Sequence, residues 1–149
     1  MSGERVLIVD DEAPIRLLCR VNLEAEGMSV LEAADGLTGL ETARSELPDV
    51  VLLDIMMPGL DGWAVAEALL DTPATCSIPI VFLTARADVH DRMRGYDLGG
   101  LAYVTKPFNP VELAPLIRNV IVHASGDVHD RDELRRAKLD ELRALIESS

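Results

Sequence analysis

Aromatic side chains are scarce in this chain: two Phe, two Tyr and one Trp make up 3% of its 149 residues. A core must therefore rest on Leu, Val, Ile, Ala and Met, which supply most of an ordinary 48% hydrophobic share. Only two cysteines occur, Cys19 and Cys76, far apart and without metal-ligand spacing. That argues against a disulfide framework or a thiolate metal site and leaves two buried or idle free thiols. Positive charge is short as well, with 14 basic residues against 26 acidic ones and a net charge of −12. A phosphate backbone or an anionic membrane repels such a surface. No basic patch offsets this: Arg92 and Arg94 flank Met93, and Arg135 and Arg136 sit among acids. Direct nucleic-acid and membrane binding are not expected, and protein partners are. No apolar run approaches the roughly 18 residues of a membrane helix, and the start Met1-Ser2-Gly3-Glu4-Arg5 lacks a signal-peptide pattern, so the expected location is cytoplasmic. The length suits one domain with one proper core.

What is present is an alternation of apolar strands and amphipathic helices from residue 5 to about 124. Expected strands are Arg5–Asp10, Ser29–Ala33, Val50–Asp54, Pro79–Leu83 and Ala102–Thr105. Expected helices are Ala13–Glu26, Gly36–Glu46, Gly62–Asp71, Val89–Gly95 and Pro110–His123. Gly27 closes the first helix, Pro48-Asp49 separates the second from its strand, and Asn109-Pro110 opens the fifth as N-cap and first helical residue. Leu17, Leu18 and Val21 in the first helix, and Leu116, Ile117, Val120 and Ile121 in the fifth, each form an apolar stripe. Trp63, on the third helix, reads as packing.

Five βα units in a row imply an α/β fold, a doubly wound parallel sheet with helices on both faces. Right-handed crossovers leave few topologies, and the common five-stranded, flavodoxin-like order is 2-1-3-4-5. In that order the first and third strands are neighbours. Their carboxyl ends meet where the strand order reverses, which is where such sheets bind ligands.

The strand ends carry chemistry. Val6-Leu7-Ile8-Val9 runs into Asp10-Asp11, and Val50-Val51-Leu52-Leu53 runs into Asp54 and then Met56-Met57-Pro58-Gly59. The fourth strand delivers Thr84, and the fifth delivers Thr105-Lys106-Pro107. Any one of these alone reads as a turn residue, a helix cap or a surface lysine. Together they crowd three carboxylates, which must protonate or share a cation. Asp10, Asp11, Asp54 and Lys106 leave a residual charge of −2, matching one divalent cation. Hard oxygen ligands completed by water favour Mg²⁺. A carboxylate beside such a metal, with a lysine and a hydroxyl opposite, suits phosphoryl transfer to Asp.

The sequence resembles the bacterial response-regulator receiver domain over residues 4 to about 124. The resemblance is carried by Asp10-Asp11, the block Asp54-Ile55-Met56-Met57-Pro58-Gly59-Leu60-Asp61-Gly62, Leu83-Thr84-Ala85, and Ala102-Tyr103-Val104-Thr105-Lys106-Pro107-Phe108, in the order and spacing of that family. It implies that Asp54 is the phosphoacceptor, served by a histidine kinase or a histidine phosphotransfer protein. It implies Mg²⁺ held by Asp10, Asp11, Asp54 and the backbone carbonyl of Met56. Thr84 and Lys106 resemble the phosphoryl-sensing pair, Tyr103 the switch aromatic, and the Lys106–Pro107 peptide is cis in the family. Such a domain is not an enzyme in the ordinary sense. It promotes its own phosphorylation and dephosphorylation, then switches a surface for a downstream protein. Met56 and Arg86 depart from the commonest pattern and are expected to tune the phosphoryl lifetime.

Beyond Ala124-Ser125-Gly126-Asp127 the character changes. The segment 125–149 reads as a linker and an amphipathic C-terminal helix with no separate output domain. Its apolar side is Leu134, Leu139, Leu142, Leu145 and Ile146. Self-association is expected, if anywhere, through the face of the fourth helix, fifth strand and fifth helix, or through this tail. Two other functions fit parts of the pattern. An Mg²⁺-dependent phosphohydrolase with an Asp nucleophile usually needs a second Asp two residues on, where this chain has Met56. A binding module that lost phosphorylation has no use for crowded carboxylates, which destabilise a fold.

Overall fold

A computed structural model describes residues 3–86, 88–125 and 128–147 of the chain. The elements run β1 (Arg5–Val9), α1 (Ala13–Ala25), β2 (Ser29–Ala33), α2 (Gly36–Glu46), β3 (Val50–Leu53), α3 (Gly62–Asp71), β4 (Ile80–Thr84), α4 (Val89–Asp97), β5 (Gly100–Thr105), a short 3-10 turn (Pro110–Glu112), α5 (Leu113–Ser125) and α6 (Val128–Glu147). All strand pairings are parallel, in the order β2-β1-β3-β4-β5. This is the doubly wound topology expected from the alternating pattern.

Successive strand side chains point to opposite faces, and the core divides accordingly. On one face Val6, Ile8, Val50, Leu52, Val81 and Leu83 meet Cys19 and Leu23 of α1 and Leu113, Ile117 and Val120 of α5. On the other Leu7, Val9, Val51, Leu53, Ile80 and Phe82 meet Leu40 and Ala43 of α2 and Trp63, Val65, Ala66 and Leu69 of α3. The central strands are buried on both faces, so they read as continuous apolar runs. Trp63 is packed as expected, its ring 5.2 Å from that of Phe82 and under the Arg94 guanidinium.

Local signals explain the ends. Gly27 adopts φ 85° just after α1, the left-handed conformation that glycine takes without strain. Asp61 caps α3 by accepting from Ala64 N at 2.9 Å, and Asn109 accepts from Val111 N at 3.2 Å ahead of α5. One expectation fails on α1. Leu17, Leu18 and Val21 are exposed, at 60%, 38% and 58%, while Cys19 and Leu23 are buried, with Ile15 packed beside them. The helix carries apolar residues on two faces, and the Cys19–Leu23 side meets the sheet.

Helix α6 packs chiefly on α4, with further contacts to β5 and α5. Leu139 and Leu142 are buried there, whereas Leu145 is 58% exposed. The expected break at Gly126-Asp127 and the side chain of Leu134 lie outside the described residues. Among the described residues no helix is long and apolar enough to cross a membrane.

Candidate functional site

Register builds the site. Val9 pairs with Leu53 across β1 and β3, so Asp10 and Asp54 leave neighbouring strands side by side. Asp10 N donates to Ala33 O at 3.1 Å and Asp54 N to Val9 O at 2.9 Å, extending the ladder through both aspartates. Thr84 pairs with Thr105 across β4 and β5, and Lys106 N donates to Thr84 O at 2.8 Å, which brings the lysine to the same edge. Gly62 fixes the loop that carries Asp54. A Cβ there would sit 2.3 Å from Asp54 O and 2.6 Å from Ile55 Cα, so only glycine lets α3 begin this close to the strand end.

The sheet edge thus gathers Asp10, Asp11, Asp54, Thr84 and Lys106. Asp10, Asp54 and Thr84 are buried, while Asp11 is exposed at the rim. Carboxylate oxygens of the three aspartates lie within 4.8 Å of one another. Lys106 Nζ reaches Asp10 Oδ2 at 2.7 Å, Glu12 Oε2 at 3.0 Å and Asp54 Oδ2 at 3.2 Å. Asp54 Oδ1 accepts from Met56 N at 3.1 Å, and Asp10 Oδ1 from Glu12 N at 2.9 Å. Burial first, then the Asp10 charge, push the Asp54 carboxyl above its usual range, with Lys106 acting the other way. For Lys106 burial works against the charged form, but its bonds to Asp10 and Glu12 and the nearby Asp54 win, and its pKa is raised.

These donors fit a hard divalent cation. The three carboxylates converge, two of them buried, and a single ammonium, Lys106, stands against their combined charge among the described residues near them. An open cavity of about 480 Å³ lies in front of them, lined by Asp11, Glu12, Asp54, Met56, Ala85 and Lys106 among others. Met56 is 53% exposed at its mouth. Arg86 lies elsewhere: it lines a neighbouring cavity of about 500 Å³ with Met56, Trp63 and Arg94, and its Nη1 is 3.4 Å from Asp91 Oδ1. Met56 borders both spaces.

Tyr103 lies on β5, three residues before Lys106. Its ring is 6.1 Å from that of Phe82, and its hydroxyl donates to Arg86 O at 2.8 Å. Burial, then the Asp91 charge, push the phenol up to about 12, so it stays a donor. Arg86 N donates in turn to Thr84 Oγ1 at 3.3 Å. The Lys106–Pro107 peptide is cis. Glu12 is a member that the motif reading passed over. The signal was its place directly after Asp10-Asp11 at a strand end.

The sheet and its acidic, lysine-containing cluster define a doubly wound α/β domain with its candidate site at the switch point of the strand order. The response regulator receiver domain family model matches residues 6–118, and the chain belongs to that family, the receivers of two-component signalling. It is 48% identical over 120 residues to the Guillardia theta protein named "Probable transcriptional regulator ycf27", covering 80% of this chain and 46% of that one. It is 41% identical over 136 residues to the transcriptional activator protein IrlR of Burkholderia pseudomallei, covering 91% and 57%. Its fold matches chemotaxis protein CheY4 of Vibrio cholerae with a TM-score of 0.75 at 30% identity, over 80% of this chain and 99% of that one. The chain spans about half the length of the curated relatives it matches first. Phosphorylated Asp and an acidic Mg²⁺ pocket are features of the family, and its members work with a histidine kinase or phosphotransfer partner.

Proposed function

We propose that residues 4–124 form a receiver unit in which Asp54 accepts a phosphoryl group from a histidine kinase or histidine phosphotransfer protein. The observation that supports this most is Lys106 Nζ, 3.2 Å from Asp54 Oδ2 and shared with Asp10. A lysine there can take a phosphoryl oxygen as charge develops on it. A divalent cation such as Mg²⁺ at Asp10, Asp11, Asp54 and the Met56 carbonyl would supply neutralisation of the phosphoryl charge. Asp54 is the nucleophile, and the open cavity admits a donor.

The product carries about −1.5 to −2 charge at Asp54. Thr84, buried at the end of the adjoining strand, can donate its hydroxyl to the new phosphoryl group. Thr84 and Tyr103 are joined through Arg86, whose N–H donates to one and whose carbonyl accepts from the other. Rearrangement at Thr84 therefore reaches Tyr103 and the face of α4, β5 and α5, as in other switches biased by a local charge. The acidic surface suits a downstream protein better than nucleic acid. A phosphohydrolase reading gains nothing here, since Met56 stands where its second carboxylate belongs.

Phosphotransfer profiling tests the proposal: the protein is offered to radiolabelled, autophosphorylated histidine kinases. One kinase is expected to lose its label within seconds to the wild type and not to Asp54→Asn. Transfer that survives the substitution overturns the assignment.

A further inference from the structure

We propose that the α4–β5–α5 face is an acceptor for an amphipathic helix and that α6 is its tethered occupant, released when Asp54 is phosphorylated. The release step rests on the phosphoacceptor reading of Asp54 given above.

The seat of α6 is narrow. Leu139 and Leu142, three residues apart and so on one side of the helix, are buried against Tyr96 of α4, with Val89, Met93 and Tyr103 around them. A polar contact supports them: Arg135 Nε donates to Tyr96 O at 3.1 Å. That carbonyl, in the last turn of α4, also accepts from Gly99 N at 3.0 Å, and a cation is favoured at this end of the helix. Leu145 one turn further is already exposed. Beside this contact a cavity of about 260 Å³ remains, lined by Leu101, Tyr103, Leu116, Val120, His123 and Lys138 among others. Among the described residues, the two clusters on the sheet faces contain no α6 side chain.

Tyr103 connects the seat to the phosphorylation site. Its ring touches the Leu139–Leu142 cluster on one side and the Phe82 side of the core on the other. Its hydroxyl is held by the Arg86 carbonyl, two residues beyond Thr84. An inward movement of the ring after Thr84 engages phosphate removes one wall of the α6 seat and breaks that hydroxyl contact. A docked helix shifts population when its affinity for the seat differs between the two states of Tyr103. Once vacated, the strip of Val89, Met93 and Tyr96 fits a partner helix of the same type, with leucines at i and i+3 and an arginine one turn before.

The test is amide hydrogen exchange on the full chain, resolved for residues 135–147, with acid-labile phosphate on Asp54 quantified in the same samples. Most helical stability in proteins comes from tertiary packing, so release shows as lost protection. Phosphorylation is expected to speed α6 exchange by roughly tenfold or more while β1 and β3 keep their protection. The paired substitution Leu139→Glu/Leu142→Glu is expected to give the same loss without phosphate, again with the strands protected. If Asp54 is phosphorylated and α6 exchange does not change, the release proposal is wrong and the phosphoacceptor reading stands. If Asp54 takes no phosphate, both fall. If the paired variant keeps α6 protected, the seat described here is not what holds the helix.

Discussion

Asp54→Asn in metal-free buffer is expected to stabilise the protein, because the native carboxylate is buried beside the Asp10 charge. At an effective dielectric constant near 20, two charges at most 4.8 Å apart repel by roughly 3.5 kcal/mol or more. Asp10 is such a neighbour, whereas Asp11 is exposed at the rim and screened by water. Lys106 at 3.2 Å returns about 5 kcal/mol of attraction. These two charges offset one another to within about 2 kcal/mol, and the lost hydration of the buried carboxylate, the largest contribution, leaves its ionisation unfavourable. Removing the charge should recover about 1–2 kcal/mol, or roughly 2–8 °C in Tm for a chain of this size. The pH dependence has a definite sign. The folded-state pKa of Asp54 is raised, so its ionisation costs stability as pH climbs through the ordinary carboxylate range to the folded value. The Tm advantage of Asp54→Asn should therefore be full above that window and fade below it. Saturating Mg²⁺ reverses the order: at 100 times its Kd a ligand adds about 2.7 kcal/mol, and the variant should gain less. Thermal unfolding in EDTA and in Mg²⁺, from acid to neutral pH, reads all of this. An Asp54→Asn protein less stable than wild type in EDTA at neutral pH would refute the reasoning.

Gly62→Ala should cost about 1–3 kcal/mol by denaturant titration, because its Cβ meets backbone at Asp54 and Ile55 rather than a flexible side chain. Met56→Asn should shorten the phospho-Asp54 lifetime by about tenfold, equal to 1.36 kcal/mol of barrier, by placing a polar group that can position water at the cavity mouth. Arg86→Ala should change the same decay less, since Arg86 borders the neighbouring cavity, and equal rates for all three proteins would remove both residues from the proposal. Native-state alkylation near pH 8 should label Cys76 and spare Cys19, whose thiol burial and then the Asp10 charge push up to about 12. Labelling of both at similar rates would contradict the packing of α1.

The sheet was legible because parallel strands buried on both faces leave unbroken apolar runs, and Val6–Val9 and Val50–Leu53 are such runs. The site followed because the residue after each run falls on one edge, which placed Asp10, Asp54, Thr84 and Lys106 together in advance of any coordinates. Periodicity told less about α1. It identified apolar spacing at Leu17, Leu18 and Val21, but a helix with two apolar sides does not say which one the sheet takes, and it took Cys19 and Leu23. Glu12 was hidden for a related reason: its bond to Lys106 spans 94 positions and depends on the β1–α1 loop turning back. The docking of α6 was open in the sequence. Its leucine stripe fits equally a partner or its own domain, and only the placement of Tyr96 and Met93 decides between them.

The most direct test of the central claim is peptide-resolved mass spectrometry after treatment with acetyl phosphate and Mg²⁺. One acid-labile phosphoryl group on Asp54, lost on chelation of the metal before treatment and absent from Asp54→Asn, is the predicted result. Phosphate on another residue, or none on Asp54 in folded, Mg²⁺-saturated protein, would contradict it.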